Sequence, residues 1–447
     1  MKLLKYLLFA FALAAGLSFA GDREDADAAM WRGEYAVALK KYRTAALKSD
    51  AQAQFAIGNI YREGMGVKKN DSEAVSWYRL SAEQGFAKAQ YVLAEMYEKG
   101  QGVEKDDDEA ARWYEAAAIQ GNANAQFSIG LRYFNGQGVT QDFAKAARWY
   151  KASGEQGFDK AQVNLASMYD NGKGVAQDFA EAARWYQLAA AKGNSNAQYN
   201  LASMYYEGQG VKQDYAEAIR WFKASAEQGF LMAQFNLAYI YETGKGIAQD
   251  YTEAFRWYKA AAEQGSDRAQ FGLGGLYYNG QGVLQDYVQA ASWYKLSAEQ
   301  KNINAQYALA NMYFSGKGIP QDHEAAARWY KPVAQAGFPD AQFRLASLYF
   351  TGKGVTQDYS EAARWYKLAA AQGNADAQHN LATMYFSAQG VAQDYLRAYM
   401  WSSLASVVNP RFKEKTDAIA SFMNPKQIAE AKKMASECQA RTFKNCD

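Results

Sequence analysis

Reactive side chains are scarce in this chain of 447 residues. It carries two histidines, His323 and His379, and two cysteines, Cys438 and Cys446. His323 stands where sibling stretches have tyrosine or phenylalanine, and His379 replaces residues of the Tyr199 type. Both read as partly buried helix residues, and no Ser-His-Asp or Cys-His set assembles around them. The cysteines lack nearby histidines, so they do not read as metal ligands. Glycine pairs such as Gly172–Gly174 and Gly208–Gly210 have no Lys-Ser/Thr after them and no strand before them, as a phosphate loop requires. The sequence therefore predicts no enzyme, no metal site and no cofactor.

The elements that carry these residues are set by a period. An Ala-Gln pair recurs with alanine at 53, 89, 125, 161, 197, 233, 269, 305, 341 and 377, in steps of 36 residues. Tryptophan recurs in the same phase from 77 to 401. A fixed step of this size predicts stacked two-element units. In the stretch from 197 to 232, Ala197, Leu201, Ala202, Met204 and Tyr205 share one helical face. Gly208-Gln209-Gly210 ends that helix. Asp214 is an N-cap, and Glu217 is placed to complete a capping box. Tyr215, Ala218, Ile219, Phe222 and Ala226 then line a second helix, stopped by Gly229. Arg184, Arg220, Arg256 and Arg364 follow the N-terminal glutamates by three residues, which suits weak surface ion pairs. No unit can bury its own aromatic residues. The fold expected is all-α, an α/α solenoid superhelix of 36-residue helical hairpins forming one cooperative array, with no linker between 50 and 400.

The pattern A-Q-[FY]-x-L-A-x-M-Y-x-x-G-x-G-V-x-Q-D-[FY]-x-E-A-x-R-W-Y-x-x-A-A-x-Q-G resembles the Sel1-like repeat, a relative of the tetratricopeptide repeat. That resemblance covers ten copies over residues 50–408. It implies a right-handed superhelix that works as an adaptor for protein complexes rather than as an enzyme. Cysteine-rich relatives linked to β-lactam chemistry carry a disulfide in each repeat. This array carries none, so that activity is not transferred.

Two variable positions of the first helix could face a groove. One reads Ala56, Val92, Ser128, Asn164, Asn200, Asn236, Gly272, Ala308, Arg344, Asn380. The resemblance places here the asparagine or arginine that holds a bound peptide, so Asn164, Asn200, Asn236 and Arg344 are candidate partner contacts. The other reads Arg62, Glu98, Phe134, Asp170, Tyr206, Glu242, Tyr278, Phe314, Phe350, Phe386. Its early members are mostly charged, and its last four, Tyr278, Phe314, Phe350 and Phe386, are aromatic. Two readings of that row stand: binding anchors in a groove, or packing between adjacent hairpins. The sequence thus predicts an exported scaffold binding a protein or peptide, with a cell-envelope glycan as the alternative partner.

Departures from the pattern mark the rest. Gly272, Gly274 and Gly275 weaken one short helix, Lys301 and Ala388 replace loop glycines, and Pro332 should kink a second helix. Residues 21–49 read as a degenerate capping repeat, in which Tyr35, Ala38 and Tyr42 keep phase and Trp31 does not. Residues 409–447 read as capping helices, one from Arg411 to Met423 and a last one capped by Asn424-Pro425. Lys+Arg is 49 and Asp+Glu 47, and without Lys2 and Lys5 the two balance. That neutrality argues against a nucleic-acid partner. Residues 1–20 read as a secretory signal peptide: Lys2 and Lys5, an apolar run from Leu7 to Leu17, then Ser18-Phe19-Ala20. The run is short for a bilayer, so no integral segment is expected after cleavage, and the chain is expected in the periplasm or secreted. There Cys438 and Cys446 are expected to form a disulfide, two free thiols being the alternative. Intact mass of the exported protein should correspond to a chain starting at Gly21; retention of residues 1–20 would refute the leader.

Overall fold

The computed structural model describes residues 21–443 and residue 446. The signal-peptide expectation lies outside them. Among the described residues the ordered elements are α-helices and one 3-10 turn, with no strand, and consecutive helices pack as antiparallel pairs. The chain is an α/α solenoid. It divides into two compact units, through Gln228 and from Gly229 onward. The sequence carries no linker there.

In the first unit, the hairpin Ser195–Glu207 and Tyr215–Glu227 shows how one repeat is made. Ala197, Leu201, Ala202 and Met204 are buried on its first helix, and Ala218, Phe222 and Ala226 on its second. Gly208 closes the first helix at φ 74°. Gly210 has a different task. A Cβ there would lie 2.1 Å from the carbonyl oxygen of Phe179 in the preceding repeat, so the second loop glycine permits backbone-to-backbone approach. Ser225 Oγ donates to the carbonyl of Ser195 at 2.8 Å, joining the two ends of the hairpin.

The capping box expected at Asp214 and Glu217 is only half made. Asp214 accepts from the backbone N–H groups of Ala216 and Glu217. Its own N–H donates to the carbonyl of Tyr205 at 3.0 Å and leaves nothing for Glu217 to accept. The glutamate instead pairs with Arg220 at 2.8 Å. In sibling hairpins it also accepts from the indole four residues on, as Glu253 does from Trp257 at 3.0 Å. These pairs are exposed and worth little each.

The glutamine of each Ala-Gln pair holds repeat to repeat. It is buried, and its Nε2 donates to a carbonyl near the end of the preceding helix: Gln90 to Ala82 at 3.1 Å, Gln126 to Ala118 at 3.1 Å. In the second unit Gln306 bonds Ala298 and Gln342 bonds Ala334 in the same way. The oxygen of the same amide accepts from a glutamine 30 residues on, Gln120 to Gln90 at 2.7 Å and Gln372 to Gln342 at 2.9 Å. Three links are broken, one of them at Gln306, where Ala336 stands in the place of the second glutamine. Lys192 stands where that second glutamine belongs and bonds Gly157 instead, leaving Gln162 Oε1 buried without a partner. Val408 stands in the corresponding place for Gln378, whose Oε1 is likewise unpaired.

In the second unit the helix His323–Gln335 runs unbroken through Pro332. The proline falls in its last turns, so only the Arg328 carbonyl loses its ordinary donor. Gly272 and Gly274 have steric reasons: a Cβ on either would come within 2.9 Å of Tyr258 or 2.7 Å of Tyr294. Lys301 and Ala388 hold glycine's left-handed backbone, at φ 68° and 56°. After Tyr395–Val408 the chain makes a 3-10 turn, Pro410–Phe412, and a short helix, Lys413–Ala420, rather than one helix to Met423. The last helix, Pro425–Ala440, begins with a complete capping box between Asn424 and Gln427 and buries Ala431, Ala435 and Cys438. Cys438 and Cys446 are joined by a disulfide. At the other end Ala38 and Tyr42 are buried and Trp31 is 91% exposed.

Lys192→Gln should supply the donor that Gln162 lacks and raise stability by about 1 kcal/mol. Gln120→Lys should strip the Gln90 oxygen and cost about 1–3 kcal/mol. Urea unfolding followed by circular dichroism reads both signs.

Candidate functional site

The aromatic row sits at the elbow of each hairpin, two residues before the loop glycine. Its members are half-buried, not freely exposed. Each packs against the first residue of its own second helix. Ring centroids are 5.2 Å apart for Tyr278–Tyr287, 5.3 Å for Phe314–His323 and Phe350–Tyr359, and 5.6 Å for Phe386–Tyr395. The row therefore pins elbows within hairpins. Phe386 has two further neighbours: Phe422 packs on it at 5.2 Å and the Lys415 ammonium lies 4.8 Å from its centroid. Where the row carries glutamate, that carboxylate takes a hydrogen bond from a second-helix tyrosine, Tyr114 to Glu98 at 2.8 Å and Tyr258 to Glu242 at 2.6 Å.

The asparagine positions are also half-buried. In the first unit, Asn200 donates to Asn196 of its own helix at 2.7 Å, and Asn164 faces the second-helix Tyr150. In the second unit lie Asn236 and Arg344. The Arg344 guanidinium lies 5.2 Å from the Phe314 ring, so two of the expected partner contacts meet there. Asn380 donates to the Tyr366 hydroxyl at 3.0 Å.

The sequence reading missed the residue that organises this face, the second-helix tyrosine. Its ring is core and its hydroxyl reaches toward the variable first-helix positions. Tyr78 bonds Asn59 at 2.7 Å, Tyr330 bonds Asn311 at 2.6 Å, and Tyr366 shares a bond with Ser347 at 3.0 Å. Tyr150 has no such partner. Leu131 and Phe134 occupy the two positions that supply one elsewhere, and the hydroxyl is buried without a hydrogen bond. Burial pushes its pKa up to about 12; Asn164 comes near enough to offset part of that rise without reaching hydrogen-bond geometry. A cavity of about 470 Å³ opens beside it, lined by Leu131, Phe134, Asn164, Met168 and Lys173 among others. Comparing the column Asn59, Leu131, Gly275, Asn311 across copies would have located it. In the second unit Gly275 takes that position, and a cavity of about 340 Å³ is lined by Tyr278, Tyr294, Asn304, Tyr307 and Asn311.

Two lysines complete these surfaces. The Lys173 ammonium lies 4.3 Å from the Phe134 centroid and 4.2 Å from that of Phe143. Lys317 lies 4.4 Å from Tyr278 and 4.2 Å from Tyr287, and donates to the Tyr278 hydroxyl at 3.2 Å. His379 stacks on Phe412 at 4.2 Å; burial, then the charge of Lys415, holds its pKa below the ordinary histidine value. His323 Nδ1 and His379 Nδ1 are both buried without partners. Among the described residues no group of three or more His, Cys, Asp or Glu is placed to hold a metal ion.

A family model described as the Sel1 repeat matches ten consecutive stretches, from residues 51–86 through 375–406. The chain is similar to c5321, a protective antigen present in uropathogenic Escherichia coli strains displaying an SLR fold. Identity is 37%, over 91% of this chain and 88% of that one, with a TM-score of 0.76. It is also similar to a Sel1 repeat protein from Oxalobacter formigenes, 32% identical over 69% of this chain and 89% of that one, with a TM-score of 0.55. Among curated proteins none matches.

The two classes of tyrosine should separate on loss of the hydroxyl. Tyr150→Phe should leave stability unchanged or raise it by up to about 1 kcal/mol, since it removes an unpaired buried group. Tyr114→Phe should lower it by about 1 kcal/mol, since Glu98 loses one of its two donors and keeps Arg132. Thermal unfolding of both variants beside the parent checks the contrast.

Proposed function

The chain belongs to the Sel1 repeat family, and from that premise we propose an exported, non-enzymatic scaffold that binds a protein or peptide partner along the face presented by its first helices. Solenoids of this type typically mediate protein–protein interaction and are a non-catalytic scaffold type. The observation that carries the proposal is where the copies differ. The residues that join repeats are kept from copy to copy, such as the buried glutamines and the loop glycines. The positions of Asn164, Asn200, Asn236 and Arg344, and the elbow row, change from copy to copy. A surface that varies on an unvarying frame suits recognition of an irregular partner.

Export rests on the leader-like residues 1–20, and the bonded pair Cys438–Cys446 agrees with an oxidising compartment. Among the described residues no helix is long and apolar enough to cross a membrane. A glycan partner is the second reading, motivated by Tyr278, Phe314, Phe350 and Phe386. Sugar stacking needs free ring faces. Cations already lie over Tyr278, Phe314 and Phe386, so we favour a protein.

Bead-bound exported chain should capture a specific protein from an envelope extract. A variant with Asn164→Ala, Asn200→Ala and Arg344→Ala should lose that protein while its circular dichroism is unchanged. Binding to purified peptidoglycan with no protein captured would reverse the choice of partner. Undiminished capture by the variant would move the site elsewhere.

A further inference from the structure

The cavity beside Tyr150 is a built pocket, and its chemistry narrows what enters it. Its floor holds a phenol that is 1% exposed and whose hydroxyl has no hydrogen-bond partner. An unpaired buried hydroxyl costs free energy unless a ligand completes it. Asn164 brings a side-chain amide to the same wall, and Lys173 an ammonium. Among the described residues the Lys173 ammonium makes no ion pair or hydrogen bond. Its counterpart Lys317 is committed to the hydroxyl of Tyr278, whereas Phe134 offers Lys173 no hydroxyl. Phenol, amide and ammonium are all donors. No carboxylate lines the cavity; Asp170, the acid nearest along the chain, is outside the lining. Leu131, Phe134 and Met168 give apolar walls. The Phe134 ring has Phe143 on its edge at 5.2 Å and Lys173 over it, so it is not open to stack on a sugar.

Donors converging between apolar walls suit an anionic head on a short methylene stem. We propose that this pocket binds a peptide carboxylate, the acidic side chain of an extended partner seated with its stem on Leu131 and Met168 and its oxygens on Tyr150, Asn164 and Lys173. The pocket thus adds a residue preference to the scaffold reading, on which it rests. A chain-end carboxylate has the same chemistry and is separated in the test.

The test is ligand-observed saturation-transfer NMR on the chain purified after export. The probes are N-acetyl-glutamate N-methylamide, its glutamine counterpart and N-acetyl-glycine. The glutamate probe should bind, and the glutamine probe should bind about tenfold more weakly, the worth of a charge-assisted hydrogen bond. Tyr150→Phe and Lys173→Met should each weaken glutamate binding about tenfold. Tyr366→Phe, which removes a hydroxyl outside the cavity, should leave it unchanged. Stronger binding of N-acetyl-glycine would assign the pocket to a chain end. No transfer from either carboxylate, equal transfer from the glutamine probe, or indifference to Tyr150→Phe and Lys173→Met would overturn the proposal. If the carboxylate probes fail while bead capture still retains a partner, the pocket falls and the scaffold stands. If a probe binds and no partner is captured, the pocket stands and the scaffold reading falls.

Discussion

A buried amide that must satisfy both its ends constrains this molecule more than any apolar contact does. In most Ala-Gln pairs the glutamine reaches back eight residues to a carbonyl of the preceding helix and receives a donor from 30 residues ahead, as Gln90 does. Apolar packing is tolerant of small shifts in register, but an unpaired buried amide is not. Both offsets hold only if hairpin and connection keep their lengths. The 36-residue step without slip follows from that requirement. The second loop glycine serves the same end, since a side chain at Gly210 would push the neighbouring backbone away and part the amides from their carbonyls.

A frame fixed in this way leaves the remaining positions free to differ. The second-helix tyrosine lies at the border between the two. Its ring belongs to the frame and its hydroxyl to the variable face. Asn59 and Asn311 answer that hydroxyl with an amide, Glu98 and Glu242 with a carboxylate. Leu131 does not answer it at all. The place where the frame's polar group goes unsatisfied is also where a cavity opens beside Lys173. Local inconsistencies of this kind are where sites are expected in an otherwise self-consistent sequence.

Much of the fold was legible because repetition multiplies weak signals. One glycine or one aspartate says little, but Gly208 and Asp214 recurring in phase fix helix ends throughout. What the sequence could not show was how half-exposed groups spend their remaining valence. Spacing placed Phe314 and Phe350 on the first helix, yet not that His323 and Tyr359 would cover one side of each ring. The Asp214–Glu217 spacing fitted a capping box, but the Tyr205 carbonyl had already claimed the N–H the box needs. At Asn424 nothing competes, and the same motif is complete. Tyr150 was hidden for another reason: its own residue type is ordinary, and only the loss of polar partners at Leu131 and Phe134 sets it apart.

The short reach of the glutamine link has a consequence at the level of the gene. Each link spans one junction and asks nothing of more distant repeats. Duplicating or excising a block of 36 residues re-forms the same links at the new junction, whereas an insertion of any other length strands buried amides on either side. Folding therefore tolerates the exchange of whole repeats and not of fractions of one. Copy number is thereby a heritable variable that changes in integer steps, and each step alters the extent of the recognition surface without redesigning a single interface.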